Sequence, residues 1–568
     1  MTDKPASRPE ENASWKRLSR LAKTVTQTHN RERVNESDRF DKYSIRVGPL
    51  LVDFSKQRID RSIVDDLVAL AQESRVPELV AAQMAGEVVN TTENRPALHT
   101  ALRGPAGKDL ASINQAIELE RNRMLQYAEA VRSGERKGFT GRRITHIVHI
   151  GVGGSHLGCE LVCNVLNRSA LEIRFLANID GTATNEALKG LNPETTLFVI
   201  VSKTFTTLET LANAHAARCW FLERTCDDGA IASHFVAVSN NAAEMTKFGI
   251  SPANQFTLWD WVGGRFSLWS SVGLTIAITI GANEFRKFLS AAEAMDQHFR
   301  EAPLAENVPV ILALLTIWNS NFLGSQSHAI FGYDTRLKNF VEFVQQLEME
   351  SNGKSAHVDG SSSNVHTAHI IWSGEETQGQ HAFHQLLHQG TRAFSADFIA
   401  TANPEHNHTD HHRWLLANCL SQSQIMLYGN AGQASNSTNV HEIIHGDHPT
   451  TTILIDELNS EALGSLIVLY EHKVACLGMI WQINSFDQWG VEAGKHLAQE
   501  IYRDLGLPDS ENTDGLTEGL IRTIRERTNN LFDDGNILYV YAVPRSTGNC
   551  QRRSHRREAV PKNVHRID

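Results

Sequence analysis

Thr195–Thr210 reads TTLFVIVSKTFTTLET, and the fold of the chain turns on it. Leu197–Val201 is unbroken apolar sequence, the pattern of a strand in a parallel sheet covered on both faces. Ser202, Lys203, Thr204, Thr206 and Thr207 then crowd into a loop where a helix is about to begin. A helix N-terminus leaves N–H groups unpaired and carries the positive end of the dipole, so an anion is favoured there. Hydroxyl donors and one ammonium complete a pocket for a phosphate group. The same hydroxyls would equally serve as helix caps.

Working outward, strands keep alternating with helical stretches. Ile144–Ile150 leads into the loop GVGGSHLG (Gly151–Gly158), and Ile173–Ala177 and His234–Val238 are further short apolar strands. A second block predicts strands at His328–Gly332, His369–Trp372, Asp397–Ala400 and Thr452–Ile455. Helices are expected between and after them at Leu337–Ser351, Gln380–Gln389, His411–Leu427 and Ser460–Ile480. Such alternation implies right-handed βαβ units, hence an α/β protein with two mostly parallel sheets flanked by helices, over 116–282 and 305–500. Residues 1–115 read as an N-terminal helical segment packing on the larger domain. In it Leu67, Val68, Leu70 and Ala71 have helical spacing and Pro77 marks a boundary. Asn90–Arg103 (NTTENRPALHTALR) reads as a capped helix start. Arg545–Asp568 holds seven Lys or Arg against two acids without apolar periodicity, and 528–568 is expected to be a disordered basic tail.

A chain of 568 residues can bury large cores, and 41% hydrophobic with 21% charged residues is ordinary for a soluble protein. The net charge of −11 argues against a general nucleic-acid binder. Seven scattered cysteines form neither a disulfide framework nor a CxxC pattern and fit a reducing compartment. The N-terminus has no apolar h-region, and the run near Val310–Trp318 is far short of a membrane span, so a cytoplasmic protein is expected.

Other loops carry chemistry. GVGGSHLG has His156 where a dinucleotide fingerprint needs its third glycine, and the next suitable acid, Asp180, is far along. Its glycines still permit close approach to an anion, with Ser155 adding a hydroxyl. In WDWVGGRFSLWSS (Trp259–Ser271), Arg265 follows two glycines between aromatics; it is either a surface ion-pair partner or a partly buried cation in need of an anion. FVEFVQQLEMESNGK (Phe340–Lys354) is an amphipathic helix stopped by Asn352-Gly353. Glu350 sits in its last turn, where the dipole disfavours negative charge and makes a carboxylate a better base. His381, His384 and His388 share a face, and EHNHTDHH (Glu405–His412) is denser still, yet no HExxH occurs and carbonyl or water partners explain such histidines as well. In WQINSFDQWGVEAGK (Trp481–Lys495), Lys495 is either a solvated charge or a proton donor.

Taken together these stretches resemble the glucose-6-phosphate isomerase family over roughly Phe54 to Arg525. VGGRFSLWS, MESNGK, GQHAF and NSFDQWGVEAGK are the most specific, and IGVGGS, SKTFTTLET, NTTENRPALHTALR and HHRWLLAN support them. The resemblance implies two sugar-isomerase (SIS) α/β domains, no metal or organic cofactor, and a homodimer with active sites at the subunit junction. It implies reversible conversion of glucose 6-phosphate and fructose 6-phosphate, in glycolysis and gluconeogenesis, by ring opening and proton transfer through an enediolate. Carried onto matching positions, it gives Ser155, Ser202, Thr204 and Thr207 the sugar phosphate, with Lys203 nearby and Gly154 providing backbone room. Glu350 is then the base, Arg265 the stabiliser of the enediolate, and His381, from the partner subunit, works with Lys495 in ring opening. Gln346 and Gln488 line the pocket. The chain departs from the family at His445–Pro449 and at Ser395, which bears on local loop geometry. Two other classes remain as alternatives: a non-catalytic sugar-phosphate sensor, which would dispense with Glu350, and a dinucleotide-dependent oxidoreductase, which His156 disfavours.

Overall fold

The computed structural model describes residues 8–107, 110–430, 439–506 and 515–528; the expected tail lies outside them, apart from Thr528. Its first strands, β1 (Ser44–Val47) and β2 (Leu50–Asp53), form an antiparallel hairpin turned at Gly48, whose φ of 51° suits glycine. Reading residues 1–115 as a helical segment omits this hairpin. Its strands are only four residues long, and β1 is only partly buried, so alternation has no length in which to declare itself. The expected helices are present as Ala13–Val25, Arg61–Glu73 and Val76–Met84, with Pro77 at the start of the third.

Five parallel strands make the first sheet: β3 (His146–Ile150), β4 (Glu172–Leu176), β5 (Thr196–Val201), β6 (Phe235–Ser239) and the short β7 (Gln255–Thr257), in the order β4-β3-β5-β6-β7. All six residues of β5 are buried. Leu197, Val199 and Val201 enter one core and Phe198 and Ile200 the other, where Phe198 stacks on Phe235 and the helix Leu208–Thr225 contributes Ala214, Ala217 and Phe221. A continuous apolar run is what covering both faces requires.

In the second sheet β8 (Ser327–Tyr333), β9 (Ile370–Trp372), β10 (Phe394–Asn403) and β11 (Thr450–Glu457) run parallel, and the β1–β2 hairpin adds to the β11 edge antiparallel, giving β1-β2-β11-β10-β8-β9. The N-terminal residues thus complete the second sheet. Ile330 and Ile399 join the same core as Leu197 and Val199, so one hydrophobic mass cements both sheets. At its centre runs the helix Ser460–Trp481. It is long and apolar enough to cross a membrane, yet 94% of its most apolar stretch is buried inside the protein, as befits a core helix. It carries three successive buried ionisable residues. Glu471 pairs with Arg103 and accepts from Trp269 Nε1 (2.8 Å), His472 meets Asp296 (2.7 Å) and Lys473 meets Glu348 (3.2 Å). Each has its partner, the condition on which such charges are tolerated in a core.

Candidate active site

The loops after β3, β5 and β7 leave the carboxyl ends of strands of one sheet, β3 and β5 adjacent and β7 two places beyond β5, where parallel sheets bind ligands. Thr207 is the N-cap of Leu208–Thr225, but its side chain makes no capping hydrogen bond; its Oγ1 instead accepts from Ser202 Oγ (3.3 Å). Capping therefore does not account for that hydroxyl. Phe205 is buried with φ 54°, and this turn of the backbone leaves Thr204 and Thr206 exposed on either side, their hydroxyls bonded to each other at 2.7 Å. Lys203 Nζ donates to the carbonyls of Asp260 and Val262, both at 2.9 Å, which ties this loop to the one bearing Arg265. Burial, aided by nearby Arg95 and opposed by Asp260 and Glu93, pushes the Lys203 ammonium down to about 8.

In the loop after β3, Gly153 takes φ 58°, and a Cβ on it would lie 3.0 Å from Gln346 Nε2. A Cβ on Gly154 would fall into the backbone of Gly264, so the two glycine loops touch where no side chain fits. The Ser155 carbonyl accepts from His149 Nε2 (2.7 Å). Burial lowers that imidazole to about 4, so it is neutral, and Thr275 Oγ, at 2.8 Å, fills its other nitrogen. His156 turns to Glu160 at 3.2 Å.

Arg265 is only 2% exposed. Its five N–H donors meet five acceptors: Nε the Ser351 hydroxyl (2.6 Å), Nη1 Glu350 Oε1 (3.1 Å) and Gln488 Oε1 (2.9 Å), Nη2 the carbonyls of Ser485 (2.6 Å) and Asp487 (3.0 Å). Burial lowers its pKa, and Glu350 followed by Asp487 opposes that shift. The helix Phe340–Gln345 widens into a π-turn, Gln346–Glu350, in which Gln346 Nε2 donates to Glu350 Oε2 (2.8 Å). Glu348, in the same turn, is fully buried. Burial disfavours its ionised form, but Lys473 and His369 outweigh that and hold it well below the usual carboxylate range.

Arg265, Glu350, Gln346, Gln488 and Gly154 therefore converge, and Lys203 joins the Ser202–Thr207 loop to them. His381 and Lys495 do not. His381 is exposed on the turn Gly379–His381, with no hydrogen bond to its ring among the described residues. Lys495 lies exposed on the helix Trp489–Leu505 against Glu492 (2.8 Å), and Trp489 upstream is exposed as well. His384 bonds Glu376 and Gln422, and His388 bonds Gln422. Among the described residues no three His, Cys, Asp or Glu gather as a metal site. Of the two departures, Asp447 pairs with Arg58 and accepts from Asn30 N (2.7 Å), and Ser395 Oγ meets His328 Nδ1 (2.8 Å).

Asn90–Arg103 differs from the capped helix start read in the sequence. Asn90 and Arg95 pair across a tight turn, a 3₁₀ turn follows at His99–Leu102, and Thr92 Oγ1 donates to Asp487 Oδ2 (2.5 Å). Thr92, Lys354 and Asp487 all border the Arg265 cluster. None is singled out in the sequence, although each lies within a quoted motif.

The phosphoglucose isomerase family model matches residues 53–521. The chain is 45% identical over 530 residues to glucose-6-phosphate isomerase of Paraburkholderia phytofirmans, covering 90% of this chain and 98% of that one. It is 43% identical over 550 residues to the Shewanella halifaxensis enzyme, covering 93% and 99%. The crystal structure of a glucose-6-phosphate isomerase from Chlamydia trachomatis superposes with a TM-score of 0.80 at 30% identity, over 92% of this chain and all of that one. With a buried arginine fixed on a helix-end glutamate beside two glycine- and hydroxyl-rich loops, and relatives matching nearly end to end, the chain belongs to the phosphoglucose isomerase family.

Proposed function

We propose that this chain interconverts D-glucose 6-phosphate and D-fructose 6-phosphate. The observation that carries the reading is the Glu350 carboxylate held 3.1 Å from a fully partnered, buried arginine beside loops suited to a phosphate. Ser155, Ser202, Thr204 and Thr207 take the phosphate, with Lys203 adding charge behind them and Gly154 leaving room. Ring opening breaks the C1–O5 bond while a proton passes from the anomeric hydroxyl to O5, and we assign that traffic to His381 and Lys495. Glu350 then removes the C2 proton of the open aldose as charge develops on O1, a proton passes from O2 to O1 in the enediolate, and the same carboxylate returns a proton to C1 as the C2–O2 bond becomes the ketose carbonyl. Arg265 faces the enediolate with a charge already in place, so no reorganisation is needed when negative charge appears. Gln346 and Gln488 hold Glu350 and Arg265 in register.

The exposure of His381, whose ring has no hydrogen bond among the described residues, supports a homodimer in which His381 of the partner subunit completes the pocket. The acidic balance fits a cytoplasmic enzyme. Conversion of fructose 6-phosphate by the purified protein in deuterated water, with no dinucleotide added and the products followed directly by NMR, tests the reading. The expected result is glucose 6-phosphate carrying solvent deuterium at C2; no conversion without an added dinucleotide would reject it.

A further inference from the structure

Lys354 follows Glu350 by four residues and does not face the pocket. Its Nζ lies within hydrogen-bond distance of the carbonyls of Glu350 (3.2 Å), Ser351 (2.8 Å), Asn484 (2.9 Å) and Asp487 (3.1 Å), and pairs with Asp487 Oδ1 at 3.0 Å. The first two are carbonyls at a helix end, which lack intrahelical partners. The last two belong to the loop that presents Gln488 and whose Asp487 carbonyl also receives Arg265 Nη2. One ammonium thus joins the backbone under the proposed base to the backbone under its electrostatic partner, segments about 130 residues apart. Asp487 is fixed from the far side. Its Oδ2 accepts from Thr92 Oγ1 (2.5 Å) and Asn484 Nδ2 (2.9 Å), and Thr92 rides on the turn closed between Asn90 and Arg95. That turn is itself tied to the Arg265 loop, because Arg95 Nη1 donates to the Asp260 carbonyl (3.1 Å) and Leu98 N to that of Trp261 (3.3 Å).

We propose that Thr92, Asp487 and Lys354 form a positioning latch that sets the separation of Glu350 from Arg265 and Gln488 for the proton-transfer step. The inference rests on Glu350 being the base. None of the three touches the Ser202–Thr207 loop, so the latch acts on turnover and leaves phosphate binding alone. A displacement of about 1 Å in a reacting constellation costs on the order of 10²-fold in rate, which sets the scale.

The test uses the full-length protein with Lys354→Met, Asp487→Asn, their double variant, Thr92→Val and Thr92→Ser, each measured for kcat and KM with fructose 6-phosphate and for thermal midpoint. Lys354→Met and Asp487→Asn are expected to lower kcat by about 10- to 100-fold with KM within about threefold. The double variant should be no worse than about threefold below Lys354→Met, since both act through one device. Thr92→Val should lose less, and Thr92→Ser, which keeps the hydroxyl, should recover most of it. Folded variants with kcat within twofold of wild type, or losses that appear in KM alone, would overturn the latch. Should Lys354→Met not fold, the Thr92 pair decides: equal kcat for valine and serine rejects the proposal. Glu350→Gln measured alongside separates the two claims. Exchange that persists there rejects the base, whereas its loss there with full activity in the folded latch variants rejects only the latch.

Discussion

The Ser202–Thr207 loop and the Arg265–Glu350 cluster adjoin at Lys203 and Val262, and they are built in opposite ways. In the first, Thr204 and Thr206 are exposed and their hydroxyls bond each other, and the Thr207 side chain makes no capping hydrogen bond. In the second, every donor of a buried guanidinium is already occupied by protein. Exposed hydroxyls cost little to hold unpaired, because water serves them until an anion arrives. A buried arginine cannot wait in that way, since an unpaired charge in the interior is strongly destabilising. The difference separates a region that adapts to a ligand from one fixed before the ligand enters. Binding and chemistry should accordingly fail independently when each is damaged.

The sharpest break of that comparison is Glu350→Gln. The substitution keeps the shape and an acceptor for Arg265 but removes the base. Isomerisation should fall by about 10²–10⁴-fold or more, with phosphate-dependent binding intact. Deuterium incorporation at C2 reads the outcome. Exchange that survived would have to be assigned elsewhere, and Glu348 is a poor recipient, being fully buried and paired with Lys473. Thr204→Val with Thr207→Val is the converse. Each hydroxyl bonding a charged phosphate contributes about 1.5–3 kcal/mol, so KM should rise by at least roughly 10² with kcat nearly unchanged. A variant that still distinguished sugar phosphate from free sugar as wild type does would refute the phosphate assignment.

Gly154→Ala strikes where the two regions meet. The new methyl would collide with the Gly264 backbone, which cannot swing aside like a side chain. A loss of about 1–3 kcal/mol in stability is expected, visible as a lower thermal midpoint, with kcat and KM both impaired. Unchanged kinetics would mean that the loops move apart without consequence.

Legibility in the sequence divides along the same line. β5 and its hydroxyl loop are plain from order alone, because six buried residues in a row and a helix start are local facts. Arg265 and Glu350 stand out as candidates, through two glycines in one case and a helix stop in the other, but the local sequence leaves Arg265 open between a surface ion pair and a buried cation, and only the family resemblance assigns the two their roles. The latch is not, since Thr92 and Asp487 lie 395 residues apart and their bond exists only in the fold. Asn90 and Thr92 look like caps precursory to a helix because Asn and Thr favour helix starts, but Asn90 Oδ1 accepts from Asn484 and Thr92 Oγ1 donates to Asp487, both remote in sequence. The three-residue β7 and the β1–β2 hairpin are too short for periodicity to speak.

The smallest expected effect, and the finest test of the contrast, is the titration of Lys203. Burial, helped by Arg95, brings its ammonium down to about 8 in the free protein, against 10.5 for an ordinary lysine. Its charge is therefore present below pH 8 and lost as pH rises through 8, while the substrate phosphate, whose second pKa is about 6, stays dianionic. Nζ is held by the Asp260 and Val262 carbonyls, so it acts on the phosphate by charge at a distance, worth about 1 kcal/mol or roughly fivefold in affinity. KM should rise by that factor between pH 7 and 9 with kcat following its own course, and Lys203→Met should begin at the higher KM and show no such limb. Stability runs the other way. The folded pKa lies below the unfolded one, so between about 8 and 10.5 the unfolded chain binds more protons and this group's contribution to stability rises with pH. Affinity falling while the apo-protein gains stability over the same window marks a buried lysine at the phosphate loop; parallel movement of the two would place the titration on another group.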